Sequence, residues 1–181
     1  MTDLMHLIQT RRSCRKYEAT PISDEMLSQV LEALRWAPSW NNTQCWEVVV
    51  VKDPETKQAL QSTLPPKGNP AVKAMVDAPV VLVLCAKTSL SGYFKDKAST
   101  KFGDWMMYDL GLATQNACLM AHALGLGTVV VGLFDHRKAA GVISLPPGYE
   151  LVSMIPMGYP AKTSQASKRK EVDTFIHHDR W

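Results

Sequence analysis

Arg11-Arg12-Ser13-Cys14-Arg15-Lys16 is the stretch from which the rest of this chain can be read. Four of its six side chains are cationic and a fifth carries a hydroxyl. It follows a short apolar pattern, Leu4, Leu7 and Ile8, and precedes the turn Ala19-Thr20-Pro21. Arginines this close repel one another unless an anion lies between them. The planar guanidinium fork matches phosphate oxygens, and Ser13 adds a neutral donor at the same place. The stretch therefore reads either as an anion site or as a solvated basic turn, and a charge run by itself favours the turn.

Two further segments decide between these. Ala37-Pro38-Ser39-Trp40-Asn41-Asn42-Thr43-Gln44-Cys45-Trp46 leads straight into the strand-like run Glu47 to Val51. Gly125-Leu126-Gly127-Thr128 leads into Val129-Val130-Val131-Gly132-Leu133-Phe134-Asp135. In order and spacing, these two segments and the Arg-Arg-Ser-x-Arg run resemble the FMN-dependent nitroreductase family. That family has Ala-Pro-Ser, two variable residues, Asn, one variable residue and Gln-Pro-Trp before a strand, and a Gly-Gly-Phe-Asp-like turn after a later one. Lys168-Arg169-Lys170 is similar to the family's basic phosphate-binding tail. The resemblance runs over most of the chain. Cys45 stands where the family usually has Pro, Leu133 where many members have a second Gly, and the tail lacks the usual Pro-Leu.

The resemblance implies an α+β fold: a mostly antiparallel central sheet flanked by helices, in an intertwined homodimer whose C-terminal segment reaches the partner. It implies FMN as cofactor and NADH or NADPH as co-substrate. Arg11, Arg12 and Ser13 would meet the phosphate and ribityl chain, Arg15 the pyrimidine edge, and Lys168 and Arg169 the phosphate from the tail. Pro38, Ser39 and Asn42 would contact flavin from the neighbouring subunit, with Gln44 behind them. Gly132 and Leu133 would offer backbone N–H near N5, where a missing Cβ permits close approach. Asn69 and Lys73 compete for a place near the pyrimidine edge, and spacing does not choose between them. Trp46 reads as core packing at a strand start.

Composition agrees with an enzyme domain. At 181 residues, with 46% hydrophobic and 20% charged content, the chain suits one globular domain, residues 1–181, with 157–181 as an extension. A net charge of +3 admits an anionic ligand but is too mild, and too poor in interleaved aromatics, for a nucleic-acid surface. No apolar run approaches a membrane span, and Met1-Thr2-Asp3 opens without the charged start of a leader. None of the four cysteines, Cys14, Cys45, Cys85 and Cys118, forms a Cys-x-x-Cys pair. Reduced thiols, no metal site and a cytoplasmic location are expected. His177-His178 reads as solvated tail, and His122 as a packed or interface histidine.

Periodicity places the elements. Helices are expected over Asp3 to Gln9, from the N-cap Ser23 to a stop at Pro38, from Pro54 to Ser62, over Ala71 to Val76, over Gly103 to Leu124, and from the N-cap Asp135 to Val142. Strands are expected at Trp46 to Val51, Val80 to Ala86, Thr128 to Val131 and Leu151 to Ile155. The first two are continuous apolar runs and read as buried on both faces. Thr88 to Lys101 is polar and reads as a mobile segment. The long helix carries two apolar stripes, which predicts a central, buried position. Alternating helices and strands alone would suggest a parallel doubly wound sheet, but the resemblance points to an antiparallel one.

The function expected is hydride transfer from NAD(P)H through FMN to nitro compounds, quinones or related acceptors by ping-pong turnover. The flavin does the chemistry, so no side chain is expected as acid, base or nucleophile. Reductive dehalogenation or flavin fragmentation on the same fold is the alternative, and a non-enzymatic basic nucleic-acid-binding module is a distant third.

Overall fold

The computed structural model describes residues 3–162 and 164–181. Met1 and Thr2, expected to begin a chain without a leader, lie outside the described residues. Strand β2 (Val80–Lys87) is the axis around which the domain is built. It pairs antiparallel with β1 (Trp46–Val51) on one side and with β6 (Tyr149–Gly158) on the other. The short β5 (Gly127–Thr128) completes the order β1-β2-β6-β5, and every pairing is antiparallel. Alternating helices and strands therefore do not make a parallel sheet here.

The two-residue period of β2 divides the core. Val81, Val83 and Cys85 point into one layer, covered by α3 (Pro54–Gln61), α4 (Ala74–Asp77) and α6 (His136–Val142). Val80, Leu82, Leu84 and Ala86 point into the other, covered by α2 (Asp24–Arg35) and α5 (Met106–Ala123). Ala113, Ala117 and Ala121 recur every fourth residue on the buried side of α5, so the helix lies close against sheet and α2. α1 (Leu4–Thr10) rests on α5. Ser23, Asp53 and Asp135 are the expected N-caps, and Asp3, expected inside the first helix, caps it instead; each accepts a backbone N–H in the first turn.

Five expectations are corrected. β1 is an edge strand, and the face that carries Glu47, Val49 and Val51 is covered only at its end. Glu47 and Val49 are exposed, while Val51 is buried in the layer with α3 and α4. The strand after Gly127 pairs regularly only to Thr128 and resumes as a single bridge between Val131 and Met154. Its partner at the gap is Pro156, which has no N–H to give Val129. The segment over Thr88 to Lys101 is not loose. Tyr93–Phe94 (β3) and Lys97–Ala98 (β4) form a hairpin whose turn residues Lys95 and Asp96 both have positive φ. Helix α5 starts at Met106, not Gly103, because Gly103 is left-handed and Asp104 accepts the Met106 N–H. Its second apolar stripe is only half-covered, and Met107 and Tyr108 are exposed.

Candidate functional site

The basic stretch is held by the sheet. Ser13 bridges to Thr128 of β5, and the Cys14 N–H donates to the Thr128 carbonyl at 2.8 Å. Further on, Glu18 N–H donates to Tyr159 O, Ala161 N–H donates to Lys16 O, and Tyr17 bridges to Pro160. Cys14 and Tyr17 are buried between these ties, and the Tyr17 hydroxyl reaches the carbonyls of Cys14 and Pro156. Burial pushes the Cys14 thiol and the Tyr17 phenol up, so both stay neutral. A Cβ at Gly127 would meet Cys14 Cβ at 2.5 Å, so glycine is what lets the stretch lie this close to β5. With Cys14 and Tyr17 facing the core, Arg15 and Lys16 face solvent.

Arg15 stands between two cavities. The larger, about 610 Å³, is lined by Ser13, Arg15, Lys16, Lys162, Ser164 and Gln165. This donor set is cationic or neutral and contains no carboxylate. The smaller, about 160 Å³, runs between the Gly68–Ala71 loop and Val129–Leu133. There the Asn69 amide donates to the Leu133 carbonyl at 3.1 Å and also accepts the Ala71 N–H, joining the two walls. Gly132 and Leu133 N–H donate to no protein acceptor among the described residues. A Cβ at Gly132 would meet open space, so the fold itself does not demand glycine there.

The structure thus brings Ser13, Arg15, Asn69, Gly132 and Leu133 together. Of Asn69 and Lys73, Asn69 lines the smaller cavity and Lys73 lines neither. Lys16 belongs to the basic stretch already singled out, whereas Lys162 and Gln165 are additions to the expected set. The signal for them is topological: they become neighbours only because Ala161 pairs with Lys16. Arg11 and Arg12 line neither cavity. Arg12 turns back onto the carbonyls of Gln9 and Arg11, closing the end of α1. Both guanidinium charges, with that of His6, reach His122, whose pKa is lowered first by burial and then by Arg11, His6 and Arg12. Thr10 donates its one hydroxyl proton to His6 O at 2.6 Å, so its 2.8 Å contact with His122 makes Nε2 the protonated nitrogen.

The remaining expected residues lie elsewhere. Pro38, Ser39 and Asn42 belong to a loop at the α2–β1 junction. Asn41, Asn42 and Gln44 there all have positive φ, each costing roughly 1 kcal/mol or more. The loop is held internally, because Ser39 Oγ accepts the Gln44 N–H and Asn42 Oδ1 accepts from the Gln44 amide. Trp46 packs on the core beside α5, as expected. Lys168 and Arg169 are exposed, and among the described residues Arg169 donates only to the carbonyls of Ser167 and Lys168. No helix is long and apolar enough to cross a membrane among the described residues.

This geometry can be set beside known proteins. The sequence profile described as the nitroreductase family matches residues 8–159. A protein of Methanothermobacter thermautotrophicus, named among the NADH dehydrogenase/NAD(P)H nitroreductases, is 30% identical over 99% of this chain and 88% of its own. A solved structure from Parabacteroides distasonis superposes with a TM-score of 0.84 at 24% identity, covering all of both chains. Another, from Desulfovibrio desulfuricans and solved as a nitroreductase in complex with FMN, has a TM-score of 0.78 at 26% identity over 98% of this chain and 97% of that one. Fold, motif order and sequence profile agree over the same span, and this chain belongs to the nitroreductase family.

Proposed function

We propose that the protein binds FMN and passes hydride from NADH or NADPH to a nitro compound, quinone or related acceptor. The observation that carries this reading is the placement of Arg15 between a cavity of cationic and neutral donors and a cleft with free backbone N–H groups. A phosphate ester fits the first, since Ser13, Arg15, Lys16, Lys162 and Gln165 all donate and no carboxylate repels it. A flat heteroaromatic edge fits the second, where Asn69 and the N–H groups of Gly132 and Leu133 offer hydrogen bonds without a side chain in the way. FMN, when bound, supplies two-electron hydride chemistry in ping-pong turnover. Arg15 places positive charge by the pyrimidine edge and favours the reduced, more negative form. Arg11 and Arg12, which line neither cavity, would act on the phosphate by charge alone.

The active unit in this reading is a homodimer. Leu4, Met5, Ile8 and Trp36 are exposed along α1 and α2, and grooves at Leu7, Ala33, Leu119 and Met120 run between these helices and α5. So much apolar surface on one side suits a partner copy. The loop with Pro38, Ser39 and Asn42 would then approach the partner's flavin. Lys168 and Arg169, together with Phe175, Ile176 and Trp181, would find cover only across the interface. A steady-state screen of NADH and NADPH against nitroaromatics, quinones and free flavin tests the reading. Turnover with at least one acceptor, dependent on added or retained FMN, is expected. Absence of any FMN-dependent oxidation of either nicotinamide contradicts it.

A further inference from the structure

Among the described residues, the buried polar group with the most hydrogen-bond partners is not in the cleft. Asp109, in the first turn of α5, is 1% exposed. Its carboxylate accepts the Trp40 N–H on both oxygens, at 3.1 and 3.2 Å. It also accepts the Ser91 hydroxyl at 2.6 Å and the Cys45 thiol at 3.7 Å. All of these partners are donors, and among the described residues no cation pairs with it. Trp40 and Cys45 stand at the two ends of the strained turn, and Ser91 begins the segment that carries the β3–β4 hairpin.

Further contacts join the same parts. Trp105 N–H donates to Ser91 O at 3.0 Å, and the Trp105 ring lies over Gly92, where a Cβ would meet it at 2.5 Å. Trp105 packs on Trp40 with ring centroids 5.1 Å apart, and on Phe102 and Tyr108, both exposed. Left-handed non-glycine residues persist only where neighbours over-determine them. The loop's internal bonds come from Ser39 and Asn42, but its anchor to the domain from the helix side is Asp109.

We propose that Asp109 is a positioning residue: it holds the loop of residues 37–46 and the segment 88–105 as one unit, and so sets the wall that faces the acceptor. This rests on the flavin reading above, in which the Pro38–Asn42 loop faces a partner's ring. Ser13, Arg15 and Asn69 do not touch Asp109, so its loss reaches the flavin only through the Pro38–Asn42 loop.

The test pairs hydrogen exchange with kinetics on the intact protein. In Asp109→Asn, the remaining oxygen can still accept from Trp40 while the new amide donates to Ser91. In Asp109→Leu every acceptor is gone. Amide exchange is expected to rise together in residues 38–46 and 88–105, modestly in Asn and strongly in Leu, with β2 and β6 unchanged. kcat/KM for the acceptor, measured with FMN added to saturation, is expected to fall by about tenfold to a hundredfold in Leu, with Asn intermediate. Exchange that rises evenly across the sheet, even in Asn alone if Leu fails to fold, would mark an ordinary core residue and overturn the proposal. So would one segment opening without the other, or kinetics unaltered while both open. Exchange is read without flavin, so a wild-type protein that takes up no FMN removes the functional half and leaves the clamp itself to be judged.

Discussion

Arg11–Lys16 and Lys168–Lys170 carry similar charge on opposite kinds of scaffold. The first is tied to β5 and to the end of β6 by backbone bonds at Ser13, Cys14, Lys16 and Glu18. Among the described residues, the second bonds only to carbonyls of its own stretch of backbone, and it is exposed throughout. An anion binding the first meets donors already in place. An anion drawing in the second must also order a peptide, at about 1–2 kcal/mol per residue fixed. Similar sequences of basic residues therefore differ in what they contribute, and the difference lies in the backbone.

The largest expected effect comes from breaking the pinned segment. Gly127→Ala pushes a methyl into Cys14 Cβ and Sγ, at 2.5 and 2.8 Å. Overpacking of this kind costs about 1–3 kcal/mol of stability. It should also displace Ser13 and Arg15, so FMN affinity should drop with the melting temperature. Thermal melts and FMN titration check this, and a stable variant with native affinity would mean the stretch need not lie against β5.

Next comes the contrast between the two segments. Arg15→Ala should lower the flavin midpoint potential by about 20–60 mV, equivalent to about 1–3 kcal/mol lost from a charge-assisted contact to the reduced ring. Lys168→Ala with Arg169→Ala should leave the potential unchanged and weaken binding by about 1 kcal/mol, an effect that salt erases. Spectroelectrochemical titration and calorimetry at two ionic strengths check the pair. Equal effects on the potential would dissolve the distinction.

These variants also show what was legible in the sequence. The caps at Ser23, Asp53 and Asp135 and the apolar run of β2 were readable because each depends on near neighbours. The resemblance carried Ser13, Arg15, Asn69, Gly132 and Leu133 to one place. Lys162 and Gln165 could not be read, because they join the site only through the pairing of Ala161 with Lys16. Asp109 gave no signal either. One carboxylate in a helical pattern looks like solvated surface until Trp40, Ser91 and Cys45 converge on it. The apolar run of β1 does not reveal its partial exposure, because such a run does not say whether a helix crosses each face.

The smallest effect sharpens the phosphate end. His122 is held below the ordinary histidine pKa by burial and then by Arg11, His6 and Arg12. With the folded value below the unfolded one, its stabilising contribution is complete above the ordinary value. It is lost as pH falls through the folded value. A phosphate near Arg11 and Arg12 opposes their charge, so adding FMN should raise the His122 pKa while the part due to burial remains. An NMR titration with and without FMN reads this directly, and an unmoved value would place the phosphate away from both arginines.

The central claim is that the flavin site is assembled from two copies of the chain, one supplying Arg15 and the cleft, the other the Pro38–Asn42 loop and the tail. Light scattering with simultaneous flavin absorbance on one sample tests it most directly. A dimeric mass at micromolar concentration with one FMN per chain is expected, with loss of flavin as dilution yields monomers. A monomeric mass with FMN still bound would show that one chain completes the site, and a colourless dimer that takes up no FMN would contradict the flavin reading itself.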